Sequence, residues 1–415
     1  MNFDATRRAS ADPVPAQRPG GINPAIVVIL AGVCAALHVG KLAPAITALQ
    51  AALGLSLVEA GFLLSTVQLA GMGAGVAFGA LSDGLGARRS MLAGLVILAL
   101  ASALGAGAAS PSMLLALRAA EGLGFLLVVL AAPGLVRSLT DPGRVNFMLG
   151  LWGAYMPLAT ALALLTGPWV IALAGWRAWW LLLAAFSAAM ALWLRAAVRV
   201  GAGPVRIAAP AAPQRWPARL ASTLSAPGPW LAAMAFAAYS GQWLAVIGFL
   251  PTVYAQAGLA ASLAGALTAL VAAMNILGNV AAGRLLQRGV RPARLLTLGY
   301  VVMALAALIA FADGPIAGLP RYLAVLAFSA FGGLVPATLF TLAVRVAPSE
   351  GSLSTTIGWM QQWSAAGQFC GPPIVAWVAV RAGGWQHTWL VTGAMALAGL
   401  ALSAALARIQ MSRIS

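Results

Sequence analysis

Gly79-Ala80-Leu81-Ser82-Asp83-Gly84-Leu85-Gly86-Ala87-Arg88-Arg89 decides the fold. This short glycine-rich turn joins two long apolar runs and holds one of only eight acidic residues in the chain, followed closely by two arginines. Unpaired backbone and fixed charge are both costly in hydrocarbon, so such a turn belongs at a bilayer surface with an apolar span on each side.

The rest of the composition agrees. Charged residues make up 8% of the chain; a soluble domain carries about 25%, so this chain cannot cover a water-facing surface. Each crossing takes about 20 apolar residues, and 415 residues supply about a dozen. The apolar runs are continuous rather than alternating, which predicts helices and not a barrel. The net charge of +16 sits on no single compact domain, so it reads as a topology signal and not as a nucleic-acid surface. Cys34 and Cys370 both lie in apolar runs and read as packing residues rather than a disulfide framework. The run from Ile22 is too long for a cleaved signal and reads as a retained helix.

Twelve helices are expected near 22–49, 56–80, 89–108, 112–136, 145–172, 177–197, 227–253, 260–286, 292–312, 319–345, 352–380 and 385–409. The expected units are a cytoplasmic tail (1–21), a six-helix bundle (22–197), a cytoplasmic linker (198–226), a second six-helix bundle (227–410) and a short cytoplasmic tail (411–415). Trp216 and Arg219 can lay part of the linker on the membrane; a plain solvated linker is the expectation. Of 24 basic residues, 19 fall on one side of this arrangement, which predicts cytoplasmic termini. The halves also echo each other. Gly61 is matched by Gly265, Pro44 by Pro251, Gly167-Pro168 by Gly371-Pro372, and Gly175-Trp176-Arg177 by Gly384-Trp385-Gln386, at offsets of 204 to 209 residues.

Gly79, Leu81, Asp83, Gly86, Arg88 and Arg89 resemble the loop 2–3 signature of the major facilitator superfamily, with Gly84 and Ala87 where that family usually has basic residues. Arg118-Ala119-Ala120-Glu121-Gly122-Leu123-Gly124 resembles its Arg-x-x-Gln-Gly-x-Gly element, with Glu121 in place of Gln. Pro44-Ala45-Ile46-Thr47 and Gly248-Phe249-Leu250-Pro251-Thr252-Val253-Tyr254 look most like the cyanate/nitroimidazole permease branch. The resemblance implies an all-α membrane protein, with two six-helix bundles in parallel repeat moving a solute by alternating access. It also implies gating by Asp83, Arg88 and Arg89.

Four ionisable residues lie deep in the expected spans: His38, Lys41, Arg118 and Glu121. Each is a functional candidate because intramembrane charge is expensive. Lys41, three residues before Pro44, reads as an anchor for an anion or as a lysine snorkelling to the interface. His38 shares its face and reads as a titrating group or as a neutral, hydrogen-bonded one. Arg118 and Glu121 can pair, either as a coupling site in which Glu121 takes up protons or as a structural pair. Gln68, Tyr155, Tyr239, Gln242, Trp243, Asn275, Asn279, Gln361, Gln362 and Trp363 can line a path, although Trp and Tyr also form interface belts. Gln361 and Gln362 are not expected to face the same way.

No Walker-type loop, zinc spacing or haem spacing occurs, so the reading has no enzyme, no cofactor and no metal. What is expected from the residues and the resemblance together is a monomeric secondary transporter of the bacterial inner membrane, moving a small, anionic solute on a proton or other ion gradient. Proton-driven efflux of an amphipathic or cationic compound is the rival within transport. A transporter-like solute sensor is the rival outside it.

Overall fold

Three helices begin where the sequence supplies a side-chain cap. Asn23 accepts from the Ala25 N–H at 2.9 Å ahead of Pro24. Ser56 and Glu59 form a reciprocal capping box, and Ser110 caps the helix that opens at Pro111. Each satisfies N–H groups that a helix start leaves open.

The computed structural model describes residues 22–73, 86–198, 216–312 and 318–412. Asp83 and Gly84 lie outside them, as do most of the two tails and the first part of the linker. The described residues form helices and no strand. In chain order the spans are α1 (Pro24–Leu53), α2 (Leu57–Thr66, continuing to residue 73 after a break), α3 (Ala87–Ala106), α4 (Pro111–Ser138), α5 (145–174), α6 (176–197), α7 (Pro227–Gln256), α8 (Ala261–Gln287), α9 (Pro292–Phe311), α10 (Leu319–Val346), α11 (Leu353–Ala382) and α12 (Thr388–Ser412). Helix runs on through 155–197 except at Gly175 (φ 80, ψ 167), where α5 turns into α6.

Nine of the described runs are long and apolar enough to cross a bilayer by that measure alone. One of the nine is α5 and α6 taken together. α2 is described in part, and α11 carries Gln361, Gln362 and Gln368 through its middle. The outer faces carry exposed leucines such as Leu173, Leu192 and Leu397. These are stable against lipid and would not be against water.

The linker departs from expectation. Trp216–Ser225 is a helix packed beside the starts of α7 and α11. Trp230 at the start of α7 donates to its Leu224 carbonyl at 2.8 Å. That bond meets one of the carbonyls a helix end leaves unpaired.

The halves meet through two related contacts. α2 packs on α11, and α8 packs on α5. A Cβ at Gly61 would lie 3.0 Å from Pro373 Cα, and one at Gly265 would lie 2.6 Å from Pro168 Cγ. The two glycines are thus placed where only hydrogen allows the neighbouring backbone to approach. Both contacts lie toward the ends of the helices remote from the chain termini, here called the far side. The termini side is the opposite end.

Candidate functional site

Pro44 has no N–H to return to α1, so the helix gives way at Lys41-Leu42 to a 3₁₀ segment, Ala43–Ala45. The Ala45 N–H turns to the Leu42 carbonyl at 2.9 Å. The Lys41 carbonyl, its usual acceptor, takes a bond from the Trp179 indole of α6 at 3.1 Å instead. α2 breaks at Val67-Gln68, where the Val67 N–H goes to Ser65 and not to Leu63. Arg118 of α4 serves both breaks. Its Nε donates to the Leu63 carbonyl at 3.2 Å, and its Nη1 donates to the His38 carbonyl at 2.5 Å. Broken helices are stable in a bilayer only when freed carbonyls are met in this way.

The same side chains build an ion cluster. Glu121 accepts from Lys41 Nζ through one oxygen and from Arg118 Nη1, at 2.6 Å, through the other. Lys41 also donates to Ser102 Oγ of α3 at 2.9 Å and lies over the Trp180 ring at 4.5 Å. His38 Nδ1 is 3.6 Å from Glu121, and its Nε2 shares a bond with Ser187 of α6 at 2.8 Å. His38, Lys41 and Arg118 are 0% exposed and Glu121 is 1% exposed. With His38 neutral, two cations face one anion inside the first half. Arg118 Nη2 is buried with no hydrogen-bond partner among the described residues.

A cleft lies beside this cluster, between the halves. It is bordered by Gln68 and Gly71 of α2, Phe125 to Leu130 of α4, Tyr155 and Met156 of α5, and Gln361 to Gln368 of α11. Among the described residues, no charged side chain lines it. Glu121 stands one helical turn before Phe125 on α4, so the cluster and the cleft share a helix without sharing a surface. Gln68 Nε2 donates to Gln368 Oε1 at 2.9 Å across the halves.

Gln68, Tyr155 and Gln361 therefore stand at the cleft as expected of lining residues. Gln362, the next residue along α11, borders it too. Lys41 and His38 do not reach the cleft here; their partners hold them inside the first half. Gln242, Trp243 and Asn275 also stay away from it. Asn275 donates to Tyr239 at 2.9 Å and to the Ser329 carbonyl at 3.0 Å, Trp243 donates to Ser329 at 3.2 Å, and Gln242 bonds the Ala238 carbonyl at 3.0 Å. The second half thus holds an uncharged network among α7, α8 and α10. Asn279 bonds Asn275, and Trp363 packs with Trp230 and Trp359. Arg88 donates to the carbonyls of Val198 and Arg195, tying α3 to the end of α6 within one half, and Arg89 is exposed. Sequence reasoning missed Ser102, Ser187, Trp179 and Trp180. The echoed Gly175-Trp176-Arg177 segment, which leads directly into Trp179 and Trp180, was the available signal for the two tryptophans.

Against known proteins, the profile of the Major Facilitator Superfamily matches residues 28–365 and 231–411. The chain belongs to that superfamily. It is therefore a transporter and not an enzyme. It is 31% identical over 164 residues to the methylenomycin A resistance protein of Bacillus subtilis (strain 168), covering 38% of this chain and 34% of that one. It is 28% identical over 156 residues to the tetracenomycin C resistance and export protein of Streptomyces glaucescens, covering 37% and 29%. The chain thus spans about a third of the length of these curated relatives. Its fold is that of a bacterial homologue of the human lysosomal transporter Spinster, with a TM-score of 0.77 at 15% identity over 95% of this chain and 98% of that one. Major facilitator membership carries the twelve-helix, two-bundle architecture. The relatives named are resistance and export proteins, and the cyanate/nitroimidazole branch gains no support from them.

Proposed function

We propose that this chain exports an organic compound with an uncharged head and an apolar body, driven by protons that act at the His38–Lys41–Arg118–Glu121 cluster. The observation that carries this reading is the separation of charge from cleft. His38, Lys41, Arg118 and Glu121 all sit buried inside the first half, and the cleft beside them is lined by uncharged polar and apolar side chains among the described residues. The expected anion preference counted Lys41 and Arg118 toward a cavity. With Lys41 bonded to Glu121 that count no longer applies, so an uncharged solute fits better. Export is supported by the likeness to the methylenomycin A resistance protein and to the tetracenomycin C resistance and export protein.

In the coupling step, a proton on Glu121 removes the one anion between Lys41 and Arg118. Repulsion between the two cations then acts at the breaks of α1 and α2, whose far-side segments hold the halves together. The excess of arginine on the termini side supports a cytoplasmic placement of both ends in a bacterial inner membrane. One chain supplies both walls of the cleft, which supports action as a monomer.

Susceptibility profiling of an overexpressing strain tests the reading. Raised resistance to uncharged amphipathic compounds, abolished by a protonophore, is expected. Resistance confined to organic anions would overturn it.

A further inference from the structure

We propose that the Gln68–Gln368 hydrogen bond occupies the place of the substrate's head group, and that the transported molecule carries a neutral donor–acceptor pair of the carboxamide or lactam kind. This inference rests on the cleft being the transport site.

Gln68 sits at the break in α2, is 4% exposed, and donates to Gln368 of α11 from the opposite half. Gln368 in turn reaches Ser364 Oγ at 3.3 Å, a long and weak bond. α2 and α11 belong to different halves, and alternating access moves the halves against each other. The amide–amide bond must then break. Each freed group would be left unpaired in a poorly hydrated site unless something replaces it.

A carboxamide replaces both ends at once. Its carbonyl accepts from Gln68 Nε2, and its N–H donates to Gln368 Oε1. A carboxylate offers no donor, an ammonium offers no acceptor, and each brings a charge to a wall that has none. Phe125, Tyr155 and Met156 then face the apolar remainder of the molecule. Binding thus replaces the one amide–amide bond with two, one to each glutamine, and the two halves can part without orphaned amides.

Benzamide, benzoate and benzylammonium share one ring and differ in the head, so titrating each against the purified full chain by thermal shift tests the inference. Benzamide should stabilise the protein and bind at least about tenfold more tightly than the other two, the loss of about one good hydrogen-bond pair. Gln68→Leu and Gln368→Leu should each weaken benzamide by a similar factor. Gln68→Glu keeps the shape of the side chain and removes its donor, so it should lose benzamide and gain benzylammonium. That gain is a readout no folding defect produces. Equal binding of the three probes, absence of benzamide binding, or benzamide affinity unchanged in these variants would overturn the inference. Phe125→Trp narrows the cleft and separates the two readings. If it removes binding of a charged probe, the cleft stands and the amide preference falls; if it leaves all binding untouched, the cleft falls as well.

Discussion

Glu121 neutralises either Lys41 or Arg118 but not both, and this fixes the order of damage when the cluster is cut. Glu121→Gln leaves two buried cations with no anion, which should cost about 3–5 kcal/mol. Lys41→Met leaves the Arg118–Glu121 pair intact and neutral, so its cost should be much smaller, about 1 kcal/mol. Denaturation in detergent measures both; equal losses would show that Lys41 and Arg118 do not share Glu121. All four ionisable residues were legible in the sequence, because apolar surroundings make any charge conspicuous. Their destination was not. Lys41 looked like a group facing a cavity, and its burial depends on Ser102, Trp180 and Glu121 arriving from other helices. A serine in a span costs little, so Ser102 and Ser187 left no mark of their own.

At the scale of the element, the breaks in α1 and α2 are what give Arg118 and Trp179 their partners. Trp179→Phe removes the donor to the Lys41 carbonyl together with part of the buried ring system, which should destabilise the protein by at least about 1–3 kcal/mol. An unchanged unfolding transition would show that water or another group meets that carbonyl. Pro44 announced the first break. The second has no proline or glycine at Val67-Gln68. Its cause is tertiary, since Gly122 of α4 brings its backbone against the Val67 carbonyl, where a Cβ would lie 2.3 Å away. The linker helix Trp216–Ser225 was hidden for a related reason: its stability comes from packing on α7 and α11, not from a long apolar run.

Across the whole molecule, the repeat was the most legible feature. Gly61 and Gly265 share one offset with Pro168 and Pro372, and the structure pairs each glycine with the proline of the opposite half. These contacts close the far side while the cleft lies toward the termini. Gly265→Leu should force α8 from α5 and raise far-side labelling of a cysteine placed at the cleft. Labelling equal to that of the same cysteine in an otherwise unaltered chain would show that another contact forms the seal.

The central claim is that ion coupling and solute binding occupy separate places. Proteoliposomes loaded with a compound to which overexpression confers resistance test it directly, by comparing solute exchange at equilibrium with transport driven by an imposed proton gradient. Glu121→Gln should keep exchange and lose the response to the gradient, while Gln368→Leu should lose both. Loss of exchange in Glu121→Gln, or a gradient response that survives in it, would contradict the account.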